Sequence, residues 1–147
     1  MAEPKGEGLV IVNQKEVSWQ NRVKTLEEQI NQLLAGKEFW WKDMDRLLWQ
    51  NIPGKPGVYM VIEGDRCIYV GQSENLRRRL KTHGRGNVGG DTFHKKLRKI
   101  RHIEEKKDRM KFVKDRCFFK FLEAKKGKGL DNLEHFTIAV LDPELND

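Results

Sequence analysis

Two tyrosines, Tyr59 and Tyr69, stand ten residues apart in the stretch PGVYMVIEGDRCIYVGQSENLRRRLKTH, and three consecutive arginines follow at residues 77–79. A phenolic hydroxyl can orient or activate water, and a guanidinium neutralises charge that develops on phosphate oxygens. Gly57 and Gly71, beside the two tyrosine positions, allow close backbone approach. An arginine ten residues past the second tyrosine, on the helix that follows, can return its side chain to the same surface. Tyr59, Tyr69 and Arg79 are therefore a candidate phosphate-handling cluster. It has no metal ligand of its own.

The elements that must carry these side chains can be read from hydrophobic periodicity. GVYMVIEGDRCIYVG reads as a β-hairpin, with Val58, Met60 and Ile62 alternating with Tyr59 and Val61, and EGDR as its turn. QSENLRRRLKTH reads as a helix capped by Ser73, with Leu76 and Leu80 inward. The glycine-rich loop GRGNVGGD lacks the Lys-Ser/Thr ending of a nucleotide-binding loop, and no strand leads into it. A basic helix begins near Thr92, with Phe93, Leu97 and Ile100 inward and Lys95, Lys96, Arg98, Lys99 and Arg101 outward. RCFFKFLEA reads as a third strand, and LDNLEHFTIAVLDPELN as a final helix ending at Pro143.

Upstream, NIPGKPG breaks the chain before the hairpin. Ser18 caps a helix whose apolar seam is Trp19, Val23, Leu26, Ile30 and Leu33, stopped by Gly36. A second helix, roughly residues 38–49, places Trp40, Met44, Leu47 and Leu48 on one face. Trp40 and Trp41 are adjacent and cannot both face inward, which leaves one for stacking on a base. Residues 1–16 carry no strong pattern and read as a loose tail. The seam is about two heptads, short of a coiled coil, so packing within the chain is expected, giving a monomer or weak homodimer.

The chain has 147 residues, enough for one domain, and 35% of them are charged. Residues 77–116 hold 16 Lys and Arg against 5 Asp and Glu, a net +11 in a chain whose total is +7. So basic a segment in an otherwise mildly acidic protein is the footprint of a polyanion-binding surface, most simply DNA. Its members include Arg77, Arg78, Lys81, Lys95, Lys96, Lys99 and Arg101. No apolar run approaches the roughly 20 residues of a membrane span. The N-terminus is too polar for a signal peptide, and Cys67 and Cys117 read as small thiols in strands rather than metal ligands or a disulfide, so a cytoplasmic or nucleoid-associated protein is expected.

In order and spacing these residues resemble the GIY-YIG nuclease family. GVY at residues 57–59 stands for its first motif triplet, YVG at 69–71 for its second, and Arg79 for the arginine of its helix. His83 is one turn further along the same face, where members carry histidine or tyrosine. LEHFTIAVLDPELN matches the closing helix, which puts the family's metal-binding glutamate at Glu134 and its asparagine, among the DNA-contacting residues, at Asn146. Glu123 is the rival metal ligand. The resemblance spans residues 56–146. Valine stands for isoleucine in both triplets, and Gln72 occupies a position where some members carry a lysine thought to activate the first tyrosine.

The resemblance implies an α/β (α+β) fold, a small three-stranded antiparallel sheet flanked by helices. Residues 51–147 form that domain, and residues 1–50 are an N-terminal tail and helical extension. It also implies phosphodiester hydrolysis in DNA with one divalent cation, Mg²⁺ or Mn²⁺. Tyr59 is then the base toward water or passes the proton through a neighbour, Tyr69 a ligand of the phosphate or nucleophile, Arg79 the stabiliser of the pentacoordinate phosphorus, His83 a proton carrier or a group that positions the phosphate, and Glu134 the cation's ligand. The homing, restriction or repair role is open. The alternative is a DNA-binding module that keeps the fold without the activity.

Overall fold

The computed structural model describes residues 9–12 and 15–147. Strands β1 (Leu9–Val12) and β2 (Lys15–Ser18) pair antiparallel, so part of the segment expected as a loose tail is a hairpin. Helix α1 (Trp19–Leu34) follows directly, and the Ser18 hydroxyl accepts from the amide of Asn21 as expected of a cap.

The main sheet has four antiparallel strands rather than three, in the order β3 (Phe39–Trp40), β6 (Cys117–Glu123), β4 (Gly57–Glu63), β5 (Arg66–Ser73). The added strand comes from the stretch expected as a second helix. There Phe39 and Trp40 pair with Phe119 and Phe118, a 3₁₀ turn spans Trp41–Asp43, and only α2 (Arg46–Trp49) is helical. The run FWW explains the change. Bulky aromatics favour the pleated surface, and alternation sends neighbouring rings to opposite faces. Trp40 packs on Phe118 on one face, whereas Trp41 is buried on the other and donates its indole N–H to the carbonyl of Leu80 at 3.0 Å. The Trp41 indole is therefore not free to stack on a base, whereas Trp40 is half-buried.

Strands β4 and β5 form the expected hairpin around Gly64, whose φ of +65° suits the two-residue turn. Alternation along β4 divides the core. Tyr59 and Val61 face the layer built by α3 (Leu76–His83), α4 (Thr92–Ile100) and α5 (Lys106–Arg116), with Leu76, Leu80, Phe93, Leu97 and Val113. Val58, Met60 and Ile62 face α1 and α6 (Lys128–Leu141), with Ile30, Leu33, Leu130 and Leu133. A register shift between Val61 and Ile62 makes Ile68 the extra residue of a β-bulge. Ile68 and Tyr69 consequently both enter the first core, and Tyr69 is aimed at the layer that also receives Tyr59.

Asn75, not Ser73, caps α3, its side chain accepting from the amide of Arg78, while the Ser73 hydroxyl accepts from the amide of Asn75. After α6, Asp142 adopts a left-handed conformation and Pro143 leads into a 3₁₀ turn over Glu144–Asn146. Cys67 and Cys117 are both free thiols in strands.

Candidate active site

The site begins at the Tyr59–Gly71 pair across β4 and β5. The ring of Tyr59 lies over Gly71, and a Cβ at Gly71 would stand 2.4 Å from the phenol oxygen. Close approach, not turn geometry, is what requires glycine there. So placed, the Tyr59 hydroxyl is 2.6 Å from Nε2 of His83, the last residue of α3. The other ring nitrogen, Nδ1, is 2.9 Å from Oδ2 of Asp91. Asp91 caps α4, its Oδ1 accepting from the amide of His94 at 3.1 Å.

These three side chains are almost without solvent, at 2% exposure for Tyr59, 1% for His83 and 0% for Asp91. The network assigns the tautomer. A carboxylate only accepts, so it takes Nδ1–H and leaves the Nε2 lone pair to accept from the phenol. Burial lowers the His83 pKa, the Asp91 carboxylate works in the opposite direction, and the net is a ring held below its ordinary value and therefore neutral. For Asp91, burial would raise the pKa, but the bonds from His83 and from the His94 amide outweigh it and hold the carboxyl low. Neutral imidazole beside ionised carboxylate is the resting state.

Tyr69 completes the aromatic group, its ring edge-on to His83 at 6.1 Å and 6.3 Å from Tyr59. Burial pushes its phenol up to about 12, with the charges of Asp91 and Glu134 adding to the rise and Arg79 opposing it. Tyr59 lies well above its ordinary value, chiefly through burial, and Arg79 and Glu134 act on it with the same signs. Arg79 and Glu134 are thus close enough for their fields to reach both phenols. Arg79, from α3, donates to the carbonyl of Gly90 at 3.4 Å.

Glu134 comes from α6, in the layer on the other side of the sheet, and meets the site across β5. Its Oε1 accepts from the amide nitrogen of Gln72 at 2.8 Å, and the same nitrogen donates to Asp131 at 2.8 Å. Gln72 pairs with Val58, one residue out of step with Tyr59, and its side chain is hydrogen-bonded to the two carboxylates. Glu123 lies elsewhere, exposed at the end of β6 beside Lys55, Pro56 and Lys125.

The basic residues separate into two sets. Arg78, Lys95 and Lys99 are exposed. Lys81 is half-buried, with its ammonium 5.8 Å from the Trp49 ring centre. Arg77 donates through Nε to the carbonyls of Trp49 and Ile52. Arg101 is held by Glu144 and Glu63, at 2.7 and 2.9 Å, and Lys96 donates to the carbonyl of Asp147. The Asn146 carboxamide exchanges two hydrogen bonds of 2.8 Å with the backbone of Val70.

Asp91 is the one member of the network that reading the sequence did not single out. The signal available was its place immediately before the basic helix, which marks a helix cap. The loop that delivers it is fastened by buried Arg109, whose guanidinium donates to the carbonyls of Gly86, Ile103 and Glu104. Gly86 has φ +78°, and a Cβ there would meet Met110 at 2.6 Å.

The phenol of Tyr59 hydrogen-bonded to a buried histidine, beside Tyr69 on the paired strand, lies within a stretch that matches a catalytic domain of the nuclease class. Residues 55–141, more than half of the chain, match the family model of the GIY-YIG catalytic domain, and the chain belongs to the GIY-YIG family. The UvrABC system protein C of Aquifex aeolicus (strain VF5) is 53% identical over 34 residues, 23% of this chain and 6% of that protein. That of Thermosipho africanus (strain TCF52B) is 42% identical over 40 residues, 27% of this chain and 7% of that protein. The chain therefore matches only a small fraction of the length of these curated relatives. Among solved structures, the GIY-YIG N-terminal endonuclease domain of UvrC from Thermotoga maritima, bound to its catalytic magnesium, superposes with a TM-score of 0.44 at 19% identity. That alignment covers 71% of this chain and 100% of the other.

Proposed function

We propose that the chain is a divalent-metal-dependent DNA endonuclease that hydrolyses phosphodiester bonds at the Tyr59 site. The observation that carries this is the hydrogen bond between Tyr59 and the neutral face of His83, with Arg79 and Glu134 bearing on the same phenol. A tyrosine with a raised pKa is a poor base alone. It becomes effective when its own proton can leave as another arrives. Water attacks phosphorus as its proton passes to the Tyr59 oxygen and the phenol proton passes to His83 Nε2. Tyr69 orients the phosphate or the water, and Arg79 neutralises the charge gathering on the phosphoryl oxygens.

Glu134 would hold the cation. Mg²⁺ takes oxygen ligands, keeps several waters, and binds through one or two carboxylates together with substrate phosphate. Glu134, 17% exposed at the rim and one helical turn from Asp131, fits that donor set. When bound, such a cation supplies stabilisation of the leaving oxygen.

The test is cleavage of supercoiled plasmid, and of duplex, branched and single-stranded oligonucleotides, with Mg²⁺ or Mn²⁺ and with chelator. Cleavage that needs the cation and is lost in Glu134→Ala, with DNA binding retained, is the expected result. Binding without cleavage of any of these substrates would overturn it in favour of a non-catalytic module.

A further inference from the structure

We propose that Asp91 is a positioning residue for the hydrolytic step: through His83 it dictates which ring nitrogen receives the phenol proton, making Tyr59, His83 and Asp91 one proton relay. This rests on the nuclease reading above. The carboxylate uses both oxygens, and the two uses differ in what they demand. Oδ1 caps α4 by accepting from the His94 amide, a task that serine or asparagine performs as well. Oδ2 accepts from His83 Nδ1, and there only an obligate acceptor fixes the ring with its lone pair toward Tyr59.

Among the described residues, the surroundings leave no other group for that role. His83 is faced by Tyr59 from β4, Tyr69 from β5, Arg79 from its own helix, and Asp91 and His94 from the loop and α4. His94 spends its Nε2 on the carbonyl of His83, not on the ring. Arg79 is a donor and cannot accept a proton. Arg109 pins the loop through Gly86, so Asp91 is held at the ring by two fixed points, its own cap and that clamp.

The water oxygen forms a bond to phosphorus while the P–O bond to the leaving group breaks. The water's proton goes to the Tyr59 oxygen, the Tyr59 proton goes to His83 Nε2, and the leaving oxygen takes a proton from solvent. The relay ends as neutral Tyr59 with imidazolium His83 against the Asp91 carboxylate, and solvent later removes the extra proton. The products are a phosphomonoester and an alcohol.

Asp91→Asn and Asp91→Ser in the full chain test this, because both retain a capping oxygen. Long-range ¹⁵N–¹H NMR of the His83 ring, recorded without metal or DNA, reads the tautomer directly. The wild type is expected as Nδ1–H, and Asp91→Asn as Nε2–H with its amide donating to Nδ1. Single-turnover cleavage with Mg²⁺ is expected to fall roughly 100-fold or more in both variants, with DNA affinity unchanged. The acid limb of the rate profile should move to lower pH, because the charge that raised the His83 pKa is gone. Retention of Nδ1–H in Asp91→Asn overturns the relay, and so do wild-type rates with an unmoved pH profile. Failure of the wild-type chain to cut any DNA sinks the nuclease reading, whereas cutting at full rate by both variants sinks the relay alone.

Discussion

Gly71 and Tyr59 face each other across the hairpin, and the space where a Gly71 side chain would stand is the space the Tyr59 phenol occupies. The motif triplets are thus coupled sterically, one providing the ring and the other the vacancy. Gly71→Ala should push the phenol off His83. The expected cost is about 1–3 kcal/mol of stability from overpacking, with cleavage reduced roughly 100-fold. Thermal melts and single-turnover rates check it, and an alanine variant that cuts normally would show that the ring has room to move.

Tyr59→Phe keeps the ring and removes the proton donor to His83, whereas Arg79→Ala removes charge from the rim. Each should lower cleavage by about two orders of magnitude or more while DNA binding stays near normal. Rates measured under saturating DNA separate the two effects. Wild-type turnover in either variant contradicts the site assignment.

Salt dependence should follow the exposed basic residues and not the paired ones. Replacing Arg78, Lys95 and Lys99 together by glutamine should lower the slope of log affinity against log salt by roughly 0.9 for each phosphate they neutralise. Arg101→Gln should leave that slope alone, since its guanidinium is taken up by Glu63 and Glu144. Its expected cost is at most about 1 kcal/mol of stability, because the cluster is partly solvated. Fluorescence anisotropy across a salt series gives both slopes.

Stability should fall on mild acidification. Burial is the main cause that lowers the pKa of both His83 and His94 below the ordinary 6.5 in the folded chain. The unfolded chain then binds more protons, so this stability is complete above about that pH and is lost as pH falls below it. Asp91, held below its ordinary 3.8, adds a second loss further into acid. Melting temperatures over a pH series should decline first in the histidine range. A flat profile down to the carboxylate range would contradict the neutral-ring state.

The hairpin, the helix after it and the closing helix were legible because alternation, leucine spacing and Pro143 act locally. Tyr59, Tyr69, Arg79 and Glu134 could be named because their order along the chain is distinctive. The fourth strand was not legible. Phe39 and Trp40 find their partners in β6, nearly 80 residues away, and two residues give no period to read. Helix α5 was missed for a different reason. Its sequence KKDRMKFVKDR has no apolar stripe, and its buried face includes Arg109, which gathers three backbone carbonyls. Asp91 escaped notice because its partner His83 lies across a loop whose path depends on that same arginine.

The two bonds between Asn146 and Val70 have a consequence beyond local order. Strand β5 forms the rim of the main sheet, and it carries Tyr69 and Gly71. An uncovered rim is a template on which another polypeptide can add itself as a further strand, in crystals, oligomers or fibrils. The Asn146 carboxamide presents a donor and an acceptor in the manner of a peptide group, and it occupies Val70 on the rim of the sheet. A single side chain therefore stands in for a neighbouring strand at that residue. A strand added at that rim, beside the tyrosine itself, would first have to displace this carboxamide from Val70.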